Sequence, residues 1–291
     1  MGLTPVDPNT ITDIVVLGDS LSDNGNLLQH LVVYPPPPYW KGRFCNGPIW
    51  VEYLAEYLNN AKLHDYAYGG SHVNGKDALR DFISRTVTEF VLPLLEDQVK
   101  TFKEYNHTLK VNFETTLFIV WDGANDLDDT YFSGQEIDGG PVARMAVDSI
   151  KELVDYGAKH ILVGKMAPLD LIPTFNKKTE LLPKLRVAMN QFNDALDAGI
   201  VKIKAHSSAN IVTFDPRDVL EFATSPEGQA KFGFKNITDP CFVMGRLHLP
   251  EAPEEHLFWD FAHPTTKAQK HLAEHAYNVF FYNTSDLGRE N

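Results

Sequence analysis

Apolar positions follow two alternating rhythms along the 291-residue chain. Short continuous runs fall at residues 14–17, 63–68, 116–121, 160–164 and 210–214. Runs of this length read as strands, and the third and fourth have the unbroken apolar character of strands buried on both faces. Between the runs the apolar spacing changes to three and four. Val142, Met145, Ala146, Ile150, Leu153 and Val154 make one helical stripe, with Gly157 placed to end it. Leu185, Met189, Phe192 and Leu196 make a second. Ala268, Leu272, Ala276 and Val279 make the last, with Pro264 placed for its first turn. Strand and helix in alternation predict an α/β fold, a parallel sheet with helices on both faces joined by right-handed crossovers. The pattern neither repeats nor breaks at a linker, so residues 1–291 are expected to form one domain.

Two stretches depart from the rhythm. Tyr34-Pro35-Pro36-Pro37-Pro38-Tyr39-Trp40 predicts extended polyproline II, either a ligand for a proline-reading domain or, more commonly inside a folded domain, a rigid loop. Residues 224–255, rich in Gly and Pro and weakly periodic, predict loops leading to Asp260.

Composition narrows the partners. At 43% hydrophobic and 22% charged residues the chain has material for a sizeable core and is not of the disordered class. A net charge of −13 without a basic stripe argues against nucleic acid and anionic membranes. No stretch is long enough to span a bilayer. Met1 to Asp7 carry neither a positive n-region nor an apolar h-region, so a cytoplasmic protein is expected, or a secreted one if a leader has been removed. Two cysteines, Cys45 and Cys241, exclude a disulfide scaffold and leave a single bridge open. Oligomeric state is not written in the sequence.

Candidate chemistry gathers at strand ends. Ser20 follows the first apolar run, within Gly18-Asp19-Ser20-Leu21, and the carboxyl end of a strand is where an open α/β sheet builds its site. Between strand and helix, the serine would also meet helix-terminus N–H groups that can bind an oxyanion; alternatively it only caps that helix. Near the other end, Asp260 and His263 stand three residues apart. A neutral imidazole can take the serine proton, and an acid can hold its far nitrogen; in isolation such a pair would simply cap the last helix. Gly123-Ala124-Asn125-Asp126 follows the third run, so the Asn125 amide can serve as an oxyanion donor or as an ordinary turn residue. Gly69-Gly70 follows the second run, where glycine lets a backbone N–H approach a ligand. All four segments would share one edge of one sheet.

Taken together, Gly18-Asp19-Ser20-Leu21-Ser22-Asp23-Asn24-Gly25, Tyr66-Ala67-Tyr68-Gly69-Gly70, Gly123-Ala124-Asn125-Asp126 and Asp260-Phe261-Ala262-His263-Pro264 resemble the blocks of the GDSL esterases and lipases of the SGNH hydrolase superfamily. The resemblance runs from Val16 to the helix after His263. It implies a three-layer α/β/α sandwich with a five-stranded parallel sheet of SGNH or flavodoxin-like type. It implies Ser20 as nucleophile, His263 as base and Asp260 as its orienting acid. The oxyanion donors implied are the N–H groups of Ser20 and Gly70 and the Asn125 side chain. Two departures stand out: Asp65 occupies a position where similar proteins often have Asn, which keeps Gly69 as a rival to Gly70, and Cys45 replaces Ser in a Gly-Arg-Phe-Ser-Asn-Gly loop. Ser22, two after Ser20, also removes the G-x-S-x-G elbow of ordinary α/β-hydrolases.

The function expected is therefore a serine carboxylic-ester hydrolase needing no cofactor and no metal. Its substrate would be a small-molecule, carbohydrate or lipid ester. Short acyl chains are favoured because no long apolar lid is visible. Tyr34, Tyr39, Trp40 and Phe44 could stack on sugars, line an acyl slot or pack their loop onto the core. The alternatives are a carbohydrate acetylesterase and a non-catalytic ligand-binding module on the same fold. A zinc reading rests only on His271-Leu272-Ala273-Glu274-His275, which matches H-x-x-E-H without an evident third ligand.

Overall fold

The computed structural model describes residues 6–74, 91–245 and 251–284. Its main sheet contains β1 (Asp13–Gly18), β2 (Lys62–Asp65), β3 (Thr116–Trp121), β4 (His160–Gly164) and β5 (Asn210–Phe214). The last three have the bounds their apolar runs predicted. The order is β2-β1-β3-β4-β5 and every pairing is parallel, with Gly18 opposite Trp121. The winding direction reverses between β1 and β3, which opens a crevice at their carboxyl ends. β2 ends three residues before its apolar run does. The Asp65 carboxylate accepts the amides of Ala67 (2.8 Å) and Asn24 (3.0 Å) and so turns the chain toward the β1 loop.

Helices α1 (Asn26–Leu31), α2 (Trp50–Tyr57), α3 (Leu95–Leu109), α4 (Ala124–Phe132), α5 (Gly139–Tyr156) and α6 (Leu182–His206) precede β5 in sequence. α7 (Pro216–Thr224), α8 (Pro226–Phe232) and α9 (Thr266–Tyr282) follow it. α3, α5 and α6 pack as one layer, and α2 and α9 as the other. The buried stripe of α5 is Val142, Ala146, Ile150 and Leu153, with Gly157 at φ 124° beyond its end; Met145, placed in that stripe by spacing, faces solvent. α6 buries Leu185, Met189, Phe192 and Leu196, and α9 buries Ala268, Leu272 and Ala276. Pro264 does not enter the first turn of α9. It precedes the N-cap Thr265 and bridges to Phe258.

The stretch 224–255, of which 246–250 lie outside the described residues, holds more structure than loops in its described part. Ser225 caps α8 through the Gly228 amide (3.0 Å), and β6 (Asn236–Pro240) pairs in parallel with β7 (His256–Phe258). These elements are too short to leave a periodic apolar signal, and β6 is also largely polar. The proline stretch is a folded loop, not extended polyproline II: the Tyr39 amide turns back onto the Pro36 carbonyl (3.1 Å). Among the described residues no helix is long and apolar enough to cross a membrane.

Candidate active site

β1 delivers Ser20 into a tight turn in the crevice. The Ser22 and Asp23 amides both donate to the Asp19 carbonyl (3.0 Å each), and the Leu21 amide donates to the Asp19 carboxylate (2.9 Å). Glycine is required just before this turn, because a Cβ on Gly18 would lie 2.3 Å from the Trp121 carbonyl oxygen. The expected helix does not start at Ser20. Asp23 delays it, accepting the amides of Gly25 (2.8 Å), Asn26 (2.6 Å) and Leu27 (3.2 Å), so that α1 begins six residues later.

His263, between β7 and α9, reaches this turn. Its Nε2 lies 2.7 Å from Ser20 Oγ, across 243 residues of sequence. Its Nδ1 lies 2.9 and 2.8 Å from the two oxygens of Asp260. Asp260 also accepts the amides of Ala262 (2.8 Å) and His263 (2.7 Å) and the hydroxyl of Tyr39 (2.7 Å). A carboxylate accepting at Nδ1 places the proton there and leaves the Nε2 lone pair toward the serine. Burial opposes a charge on either partner. It is outweighed by their mutual attraction and hydrogen bond, so His263 is held above the usual imidazole range and Asp260 below the usual carboxylate range.

Gly70 and Asn125 line the same cavity as Ser20 and His263. Of the two rival glycines, the Gly69 amide is donated to Asp23 (2.7 Å), whereas Gly70 sits at φ 81° in the next turn position. Asn125 is in the first turn of α4, and its Nδ2 donates to the Ser71 carbonyl (2.7 Å). This bond orients the amide and occupies one of its two hydrogens.

The serine and glycine turns are supported by residues that sequence reasoning passed over. Gln98 on α3 accepts the Gly18 amide (2.8 Å) and donates to both the Gly18 carbonyl (2.9 Å) and Ser71 Oγ (2.8 Å). A single buried amide thus ties the serine turn to the glycine turn. Ser71 Oγ also donates to Asp122 (2.8 Å), His72 Nδ1 donates to the Gly70 carbonyl (2.8 Å), and Asp126 accepts the amides of Val73 and Asn74. The carboxylates of this nest are buried. Desolvation, only partly offset by hydrogen bonds and His72, lifts Asp19 to about 6 and Asp122 and Asp126 to about 7. No spacing rule flags Gln98 or Ser71, whose roles exist only once α3 is packed against β1.

Other singled-out residues have structural partners. Tyr34 and Phe44 line the cavity, while the Trp40 ring carries the Lys41 and Arg43 cations. Cys45 is a free, buried thiol donating to the Pro264 carbonyl (3.4 Å), and burial pushes it up to about 12; Cys241 is also free, so the two are not bridged. His271 stacks on Phe232 at 3.7 Å, and His275 is buried facing Asp218 on α7. The two rings of the zinc-like pattern are therefore engaged with different neighbours.

The cavity itself has a volume of about 540 Å³. Leu27, Leu31, Tyr34 and Phe44 contribute from the β1–β2 connection, Trp121 from the end of β3, and Leu169, Ile172 and Leu220 from the segments that follow β4 and β5. Its polar residues are Asp19, Ser20, Asn125, Asp128 and His263.

This chain matches the family model of the GDSL-like lipase/acylhydrolases over residues 14–276. It is 28% identical over 287 residues to the thermolabile hemolysin of Vibrio parahaemolyticus, covering 92% of this chain and 64% of that protein's length. A GDSL esterase/lipase of Arabidopsis thaliana is 28% identical over 311 residues, covering 89% of this chain and 87% of its own. The phosphatidylcholine-sterol acyltransferase of Aeromonas hydrophila is 32% identical over 171 residues, covering 55% and 46% respectively. With the match spanning nearly the whole chain, from the strand that carries the serine to the helix after the histidine, the protein belongs to the GDSL-like lipase/acylhydrolase family of serine ester hydrolases.

Proposed function

We propose that the protein hydrolyses carboxylic esters with an apolar acyl chain through a Ser20 acyl-enzyme. The observation that carries this reading is the 2.7 Å contact between Ser20 Oγ and His263 Nε2, with Nδ1 held by Asp260. His263 takes the serine proton as Oγ attacks the ester carbonyl. The developing oxyanion is met by the N–H groups of Ser20 and Gly70 and by the second amide hydrogen of Asn125. His263 then gives its proton to the leaving alcohol. A water molecule, deprotonated by the same imidazole, releases the acid. Only neutral His263 can act as base, so kcat/KM rises with pH through its raised pKa.

The substrate reading follows from the cavity. About 540 Å³ lies within the ~300–1,000 Å³ typical of sites that enclose a small-molecule ligand, more than an acetyl group requires. Its apolar walls leave a sugar's hydroxyls few partners. The Aeromonas relative, named for phosphatidylcholine and sterol, is in keeping with a lipid ester. The cavity thus favours longer acyl chains than the short ones expected because no long apolar lid is visible in the sequence.

A series of p-nitrophenyl esters from acetate to laurate, run beside an acetylated xylo-oligosaccharide, tests this. kcat/KM is expected to rise roughly fourfold per added methylene while the chain still fills the cavity. A profile peaking at acetate, with faster release from the xylo-oligosaccharide, would return the reading to a carbohydrate acetylesterase.

A further inference from the structure

We propose that Tyr39, carried by the proline loop, is a positioning residue for the catalytic acid, setting through its hydroxyl the orientation of Asp260 and the basicity of His263. This rests on the triad reading above. The Tyr39 hydroxyl donates to Asp260 Oδ2 at 2.7 Å, across 221 residues of sequence. Among the described residues it is the bond to Asp260 that comes from outside the Asp260–His263 segment; the Ala262 and His263 amides and the His263 ring are all local. Without it, rotation of the carboxylate about its own side-chain bonds is limited only by the segment it is meant to orient.

The ring is built into its place. Tyr39 meets Phe242 edge-on at 5.5 Å, Trp259 at 6.1 Å and Phe44 at 6.2 Å, and Phe44 in turn lies 5.2 Å from the His263 ring. Burial and the neighbouring carboxylate keep the phenol protonated, so it remains a donor at every pH at which His263 titrates. The other titratable groups acting on the pair are Asp19 from the serine turn, which faces His263, and Tyr34 and buried Cys45, which face Asp260. Of the described side chains, only Tyr39 and His263 donate a hydrogen bond to that carboxylate.

Removing the hydroxyl concentrates the Asp260 charge on the imidazolium and frees the carboxylate to turn. Tyr39→Phe is therefore expected to lower kcat roughly tenfold with little change in KM. The acid limb of the kcat/KM profile should move to higher pH by about half a unit. In an Asp260→Asn background the same substitution should cost almost nothing more, because the charge it governs is gone. Phe242→Leu loosens the same aromatic packing but keeps the hydroxyl, and should lower the melting temperature without moving the limb. An unmoved limb in Tyr39→Phe, an additive loss in the double variant, or an equal limb shift in Phe242→Leu would each overturn the proposal. If Ser20→Ala is inactive while Tyr39→Phe leaves the limb in place, only this inference falls. If Ser20→Ala stays active, the underlying triad falls instead.

Discussion

Ser20→Ala is expected to lower kcat by roughly a thousandfold or more, leaving a residue of rate supplied by the oxyanion donors and binding alone. The fold should be untouched. Asp19, Asp23 and Gln98 hold the turn through backbone amides and carbonyls, and the Ser20 side chain makes its bond to His263. Deleting the half-buried hydroxyl removes one hydrogen bond, that to His263, and should change stability by no more than about 1.5 kcal/mol. Steady-state hydrolysis of the preferred nitrophenyl ester, with a thermal melt of the same preparation, checks both halves. Turnover within tenfold of the parent would mean that some other group attacks the ester.

The second large effect belongs to Asp260→Asn, with an expected loss in kcat on the order of 10⁴-fold. The asparagine is nearly isosteric, but its side chain has one oxygen where Asp260 uses two. Oδ1 takes the Ala262 and His263 amides, which fixes the amide oxygen on that side. The NH₂ group then falls where Oδ2 stood, 2.8 Å from Nδ1, and donates to the ring. The imidazole proton is driven to Nε2, so the ring presents a donor to Ser20 where a base is needed. Loss of the carboxylate charge also lets the His263 pKa fall, and the acid limb of the residual activity should move to lower pH. That is opposite to the direction expected for Tyr39→Phe. A limb that stays put would show that Asp260 does not control the titrating group.

What could be read from the chain divides along physical lines. β3 and β4 were legible to the residue because strands buried on both faces are nearly unbroken apolar runs, and β5 because its β-branched run, buried at Ile211 and Phe214, is bounded by polar segments. β2 was not, since its end is decided by the Asp65 carboxylate bonding two amides, one of them in a different loop. Ser20, His263 and Asp260 stood out as chemical groups at element ends, and the fold brings them within hydrogen-bond reach. The delayed start of α1 could have been read from Asp23 preceding Gly25, as a side chain placed to cap. Gln98 and Tyr39 carry no such signal. Gln98 acts through bonds spanning 80 and 27 residues and Tyr39 through one spanning 221, and their types and neighbours are ordinary for a helix face and an aromatic loop.

The nest of carboxylates beneath the serine turn ties conformational stability to proton uptake. Asp19, Asp122 and Asp126 titrate at about 6, 7 and 7 in the folded chain, against about 3.9 when unfolded. Between those limits these groups, with Asp23 and Asp65 raised in the same way, hold more protons in the native state than in the denatured one, so their contribution to the free energy of unfolding declines as the solution becomes more alkaline; the buried, lowered His160 and His275 oppose this in part. His263, raised as well, contributes in the same sense, while Asp260 counters it only in stronger acid, below about 4. Urea midpoints should accordingly be higher at pH 5 than at pH 8, and a rise across that interval would contradict the linkage. The enzyme would thus be sturdiest in mild acid, where its base is silenced, and would yield that reserve as it gains turnover.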